Sequence, residues 1–232
     1  MPSLPYYVSP EQLMKDRADY ARKGIARGRS IVAVECAPGI VIIAENPSAT
    51  LRKISELYDR IAYAAVGKYN EFEGLRQAGI RLADMRGWSY GREDVSARSL
   101  ANAYAQALGT AFTDQMKPYE VEVLVAQIGD TPESDEMYRV LYDGSLQDEE
   151  GVLAMGGHAE TLMMALEQGY QPGLGLEDAV RLGSQALSSA SQDDAALTAD
   201  KLEVAVLDRA RPRRTFRRLS DVDVAGIVQG AG

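Results

Sequence analysis

The sequence predicts a four-layer α/β/β/α sandwich, an α/β (α+β) chain in which two stacked, mostly antiparallel sheets lie between outer layers of helices. Three observations carry this. Strand-like apolar runs arrive in adjacent pairs joined by short turns, and helical periods arrive in pairs between the blocks of strands. The strand-then-helix alternation that builds a parallel, doubly wound sheet is missing.

The elements follow in order. The first nine residues, MPSLPYYVS, hold two prolines, two tyrosines and no charge, and with no period of either kind they read as an arm, 1–9, ahead of a single domain, 10–232. Ser9 suits an N-cap, Pro10 the first helical position and Gln12 a capping box, so a helix is expected over 10–28, running to about Arg27, with Gly28 in the left-handed C-terminal position. Strands Ser30 to Cys36 and Ile40 to Glu45 flank a turn at Ala37-Pro38-Gly39. After the loop at Asn46-Pro47-Ser48, a second pair spans Lys53 to Leu57 and Ile61 to Gly67, turning at Tyr58-Asp59.

Phe72, Leu75, Gly79 and Leu82 mark one helix; Leu100, Tyr104, Ala107 and Ala111, after an N-cap at Ser96, mark the next. Three strands are expected at Val121 to Ile128, Met137 to Tyr142 and Gly151 to Met155, with turns at Thr131-Pro132 and Asp143-Gly144. Two helices return, separated at Gln171-Pro172-Gly173, the second marked by Leu176, Val180, Gly183 and Leu187. A polar connector, Ser191 to Asp200, leads to strands Lys201 to Leu207 and Thr215 to Leu219 and to a short last helix, Asp221 to Gln229.

Composition excludes several classes of function. A net charge of −9 and a pI near 4.8 repel nucleic acid and anionic membrane alike. No apolar stretch reaches the roughly 18 residues that span a bilayer, and the N-terminus has no signal-peptide pattern, so the expected location is the cytoplasm. Cys36 is the only cysteine and reads as a buried strand thiol. His158 is the only histidine and reads as a helix-start residue after Gly156-Gly157; Gly173-Leu174-Gly175 has no preceding strand and reads as a loop. Glu149-Glu150 and Asp193-Asp194 lack metal-ligand spacing, and no cofactor is expected. Arginines 209, 211, 213, 214, 217 and 218 form the one basic cluster, read as a solvated strand edge or a contact to acidic neighbours rather than a nucleic-acid site.

Several long segments resemble one family. PYYVSPEQLMKDRADYARKGIARGRS, ENPSATLRKISELYDRIAYAAVGKYNEFEGLR and RSLANAYAQALGTAFTDQMKPYEVEV are similar to α subunits of actinobacterial 20S proteasomes, and MGG at Met155 to Gly157 and KLEVAVLD at Lys201 to Asp208 follow in the same order. Of the archaeal and eukaryotic N-terminal pattern only Ser9-Pro10 and Tyr20-Ala21 remain.

The resemblance implies a non-catalytic, ring-forming subunit. Cutting subunits of this superfamily use an N-terminal threonine whose own α-amine is the base. In this chain the first strand begins at Arg29-Ser30 behind a whole helix, so Ser30 reads as a strand-start residue rather than a nucleophile. Glu45 and Lys53 fall near the places of the acid and lysine that support the nucleophile in cutting relatives. In α subunits the matching lysine lines a pocket between neighbours and pairs with an activator's C-terminal carboxylate; Lys53 reads that way, or as a solvated turn lysine. Gly28, Gly67 and Lys68 resemble other residues of that pocket, although capping and tight packing explain the glycines nearly as well. Pro2, Ser3, Leu4, Pro5, Tyr6, Tyr7 and Val8 would form the gate.

The implied partners are other copies in a ring, heptameric in this family, proteasome β subunits, a ring ATPase or other activator docking through C-terminal tails, and unfolded protein in transit. Neither nucleic acid nor membrane is among them. Two other readings stay open at this point: a self-processing threonine or serine hydrolase, and a stand-alone binding protein.

Overall fold

The computed structural model describes residues 9–48, 50–190 and 197–230. One sheet has the order β10-β9-β2-β1-β8, and every neighbouring pair in it is antiparallel. Its strands are β1 (Ile31–Cys36), β2 (Gly39–Glu45), β8 (Val152–Met155), β9 (Leu202–Asp208) and β10 (Phe216–Arg218). The second, also antiparallel, runs β3 (Ile54–Tyr58), β4 (Ile61–Gly67), β5 (Val121–Gln127), β6 (Glu136–Val140) and β7 (Leu146–Glu149).

Alternation along the strands separates three apolar layers. Ile31 and Ala33 of β1 and Ile40 and Ile42 of β2 face Ile54, Ala64, Val66 and Leu124 across the middle. Val32, Val34, Val41 and Ile43 face the opposite way, onto Leu162 and Leu166 of α4 (Ala159–Gly169), Val180 and Leu187 of α5 (Leu176–Ala190) and Val224 of α6 (Asp221–Gln229). On the far side Ile61, Tyr63, Val123 and Val125 meet Phe72 and Leu75 of α2 (Tyr69–Ser89) and Leu100, Tyr104 and Leu108 of α3 (Ala97–Asp114). Both faces of each central strand are buried, which is why these strands read as continuous apolar runs rather than as alternation.

The expected four layers are therefore present, with α4 to α6 outside one sheet and α2 and α3 outside the other. The helix α1 (Pro10–Ala26) belongs to neither outer layer. It lies against the ends of β4 and β5, and its Ala21 and Ile25 join the core between the sheets. Residues 10–16 of α1 are exposed.

Several expectations are corrected. The order contains one strand more than predicted: β7, Leu-Gln-Asp-Glu, is a sheet edge whose sequence carries almost no apolar signal. Gly28 does not take the left-handed conformation, because the glycines with positive φ do not include it; its constraint is a close backbone approach. The capping box is half formed: Ser9 Oγ accepts from Gln12 N at 3.2 Å, but the Gln12 side chain turns to Asp16 at 2.7 Å. Ala107 is exposed and Leu108 takes the buried place on α3. Tyr58 stays in β3, opposite Ile61 after a register shift, so the turn falls at 59–60.

Candidate functional site

The end of α1, the start of β1, the start of β3 and the end of β4 meet in one corner, and three of the four residues singled out for docking lie there. Lys53 precedes β3, half-buried, and its Nζ donates to the carbonyl oxygen of Arg29 at 2.6 Å. Its backbone carbonyl accepts from Ala65 N at 3.2 Å, tying it to β4. The Arg29 guanidinium pairs with Glu45 at the end of β2. Burial pushes the Lys53 ammonium down to about 8, helped by the Arg29 charge and opposed by Glu45 and Glu203. An ammonium so placed is short of compensating charge and suited to a carboxylate ligand.

Gly28 and Gly67 form the floor of the corner. A Cβ on Gly28 would sit 2.9 Å from Gly67 N, and one on Gly67, whose φ is +108°, would sit 1.9 Å from Glu120 O. Both segments need glycine to pass this closely. Lys68 follows directly, in the N-cap position of α2. Its N–H donates to Glu120 O at 2.9 Å and its ammonium lies 3.7 Å from Glu71, facing α2. The candidate gate residues Pro2, Ser3, Leu4, Pro5, Tyr6, Tyr7 and Val8 lie outside the described residues.

A residue that sequence reading passed over holds this corner together. Glu203 of β9 is buried, and its carboxylate accepts from Lys53 N at 2.9 Å, Ile54 N at 3.3 Å and Asn46 Nδ2 at 2.7 Å while pairing with Arg218. Arg218 returns a bond to Ile54 O at 2.8 Å. The signal was an acid inside the apolar run LEVAVLD, where only a paired carboxylate is tolerated.

Ser30 is buried, just ahead of β1, with peptide bonds on both sides. The base that an N-terminal nucleophile would supply is thus an amide nitrogen, and the lysine that might assist is bonded to the carbonyl of the preceding residue. His158 is the N-cap residue of α4, without a side-chain capping bond. Cys36 is buried, and that burial pushes its thiol up to about 11, which leaves it an unreactive core residue.

The basic cluster is largely paired within the chain: Arg209 with Asp135, Arg214 with Glu56, Arg217 with Asp208 and Arg218 with Glu203. Among the described residues no group of three or more metal-ligating side chains is assembled, and no helix is long and apolar enough to cross a membrane.

A family model described as "Proteasome subunit" matches residues 25–207. Over 99% of this chain and 100% of its own length, the "Proteasome subunit alpha" of Kineococcus radiotolerans is 58% identical. The protein of that name from Xylanimonas cellulosilytica is 58% identical over 99% of this chain and 96% of its own length, and that of Thermobifida fusca 55% over 99% and 92%. A family model matching most of the chain and relatives at this identity over nearly its whole length leave one conclusion: the chain belongs to the proteasome subunit family, in its α-type branch.

Proposed function

We propose that this chain builds the outer rings of a bacterial 20S proteasome core particle, admits substrate through an N-terminal gate and docks activators at the Lys53 corner. As an α-type subunit it is the non-catalytic component of a threonine-type protease complex. It joins rings, heptameric as in the family, and stacks on β subunits in the cytoplasm.

One observation carries the docking reading. Lys53 presents an incompletely compensated ammonium at a corner that the close backbone approach of Gly28 and Gly67 holds in place. The tail of a ring ATPase or another activator would bring its terminal carboxylate to Lys53. Arm residues Pro2 to Val8, uncharged and aromatic at Tyr6 and Tyr7, would plug the axial pore by apolar packing and be displaced as unfolded protein enters.

Surface plasmon resonance of assembled particles against an activator's C-terminal peptide tests the docking. Lys53→Ala should weaken binding by on the order of 2–5 kcal/mol per contact, chiefly through faster dissociation, while basal cleavage of small peptides persists. Parent-like affinity in Lys53→Ala overturns it. Deleting residues 2–8 should speed peptide entry into a fully assembled particle, and an unchanged rate removes the gate.

A further inference from the structure

The loop between β9 and β10 carries Arg209, Arg211, Arg213 and Arg214 in a chain whose net charge is −9. Its base is rigid. Arg209 holds Asp135 with Nη2 at 2.5 and 2.6 Å, Asp208 N bonds Thr215 O at 2.9 Å, and Arg211 N bonds Asp208 O at 3.1 Å. Thr215 N and Oγ1 both donate to Asp59 O, at 2.9 and 3.1 Å, which pins the loop to the β3–β4 turn. Between loop and turn is a notch of about 330 Å³ lined by Asp59, Arg92, Arg211, Pro212, Arg213 and Arg214.

The charges in this notch do not cancel. Arg92 forms a two-pronged pair with Asp59, and Arg214 another with Glu56. Arg211 gives Nη1 to Phe216 O at 2.7 Å, a bond that neutralises nothing, and Arg213 has no ion-pair partner among the described residues. Two positive charges therefore remain. The backbone N–H groups of Arg213 and Arg214 also make no hydrogen bond among the described residues, leaving two further donors at the loop tip.

Arg213 has φ +65°, in the left-handed region that a bulky side chain rarely adopts. Glycine would hold that backbone without strain, so the loop keeps an unfavourable conformation and a guanidinium together, a combination that points to use of the side chain. Guanidinium forks match the oxygens of a phosphate, and adjoining backbone N–H groups complete such a cradle.

We propose that this notch is a binding site for a small dianionic oxyanion of the phosphate class, free or as a phosphate ester, held by Arg211, Arg213 and the N–H groups of the loop tip. Its two uncompensated charges match those of the ligand. The site is separate from the Lys53 corner: Lys53 precedes β3, whereas the notch lies at the turn that follows that strand.

Isothermal titration calorimetry of the full chain with inorganic phosphate and with glycerol 3-phosphate, at an ionic strength held constant with chloride, tests this. The expected result is saturable binding of one anion per chain, weakened at least tenfold by Arg211→Ala and by Arg213→Gly and less by Arg213→Lys. Tighter binding of the ester than of free phosphate would assign the site to esters, and the reverse order to the free ion. Because glycine relieves the strained φ, Arg213→Gly should lose affinity while its thermal midpoint stays level or rises. Equal affinity in parent, Arg211→Ala and Arg213→Gly overturns the proposal. So do heats that vanish under constant ionic strength, and so does a loss of affinity in Arg213→Gly that merely follows a loss of stability.

Discussion

The buried carboxylate of Glu203 accepts the backbone N–H of Lys53 at 2.9 Å, so the position of the lysine is set by a residue 150 places further along the chain. The same carboxylate bonds Ile54 N and Asn46 and pairs with Arg218, joining β9 and β10 of one sheet to the entry of β3 in the other. Removing this buried carboxylate strands the Lys53, Ile54 and Asn46 donors and leaves the part-exposed Arg218 without its partner. Glu203→Ala should therefore destabilise the chain by roughly 3–5 kcal/mol in urea unfolding, with Glu203→Gln recovering part through its remaining bonds. A loss below about 1 kcal/mol, the worth of an exposed pair, would show that Glu203 does not hold this corner.

The pH dependence of docking follows from Lys53. Its folded value, about 8, lies below the 10.5 of an unperturbed lysine, so between those values the unfolded chain binds more protons and this residue's contribution to stability rises with pH. Below about 8 the cost of burying the charged form is fully present. A carboxylate at the ammonium pulls the value back up, so tail binding near pH 8 should take up protons and weaken as pH rises through and above that range. Calorimetry in buffers of different ionisation enthalpy would measure the uptake. The guanidinium introduced by Lys53→Arg stays charged throughout, and the profile of that particle should be flat over the same interval.

The glycine floor makes a graded prediction. Gly67→Ala meets both a positive φ and a carbonyl oxygen 1.9 Å from the new Cβ, so backbone must move; the strain alone is of order 1–3 kcal/mol. Gly28→Ala meets Gly67 N at 2.9 Å with φ outside the left-handed region, so it should cost less. Thermal midpoints of the two variants would rank them, and a Gly67→Ala chain as stable as the parent would refute the close approach.

Trp88, the single tryptophan, is 92% exposed near the end of α2, beside exposed Met85 and Tyr90. Apolar side chains gathered at one helix end mark a contact surface. On mixing with β subunits, Trp88 emission should shift to the blue as the indole leaves water, and Trp88→Ser should slow or weaken assembly. Unshifted emission from assembled particles would put this surface outside the subunit contacts.

Sequence and structure agree most where burial is two-sided. The runs IVAVEC and GIVIIAE could belong only to central strands, and Ser9-Pro10 could hardly mark anything but a helix start. The edge strand β7 was illegible because Gln147, Asp148 and Glu149 owe their place to backbone pairing with β6, which no side-chain period records. At the candidate site, Lys53, Gly28 and Gly67 were singled out through resemblance. Glu203 was not, because its role depends on which strand lies beside β3 in space, and that is fixed only when the two sheets stack. Ile25 shows the same limit. Its burial in the chain's own core depends on the same stacking, while Leu13 and Met14 of the same helix are exposed.

The helix α1 is gripped from its middle onward: Arg17 bonds the carbonyl oxygen of Ala111 and Ala18 packs on the core. Ala21 and Ile25 hold its last turns in the core, whereas residues 10–16 stand in solvent and lead back to Ser9. Seventeen residues at about 1.5 Å each make a rod of about 26 Å. With Arg17, Ala18, Ala21 and Ile25 all fixed to the fold, only the first seven residues, about 10 Å of helix, project beyond the grip. Ser9 is thus carried at the tip of a stiff helical stub fixed to the fold, not at the end of a flexible joint.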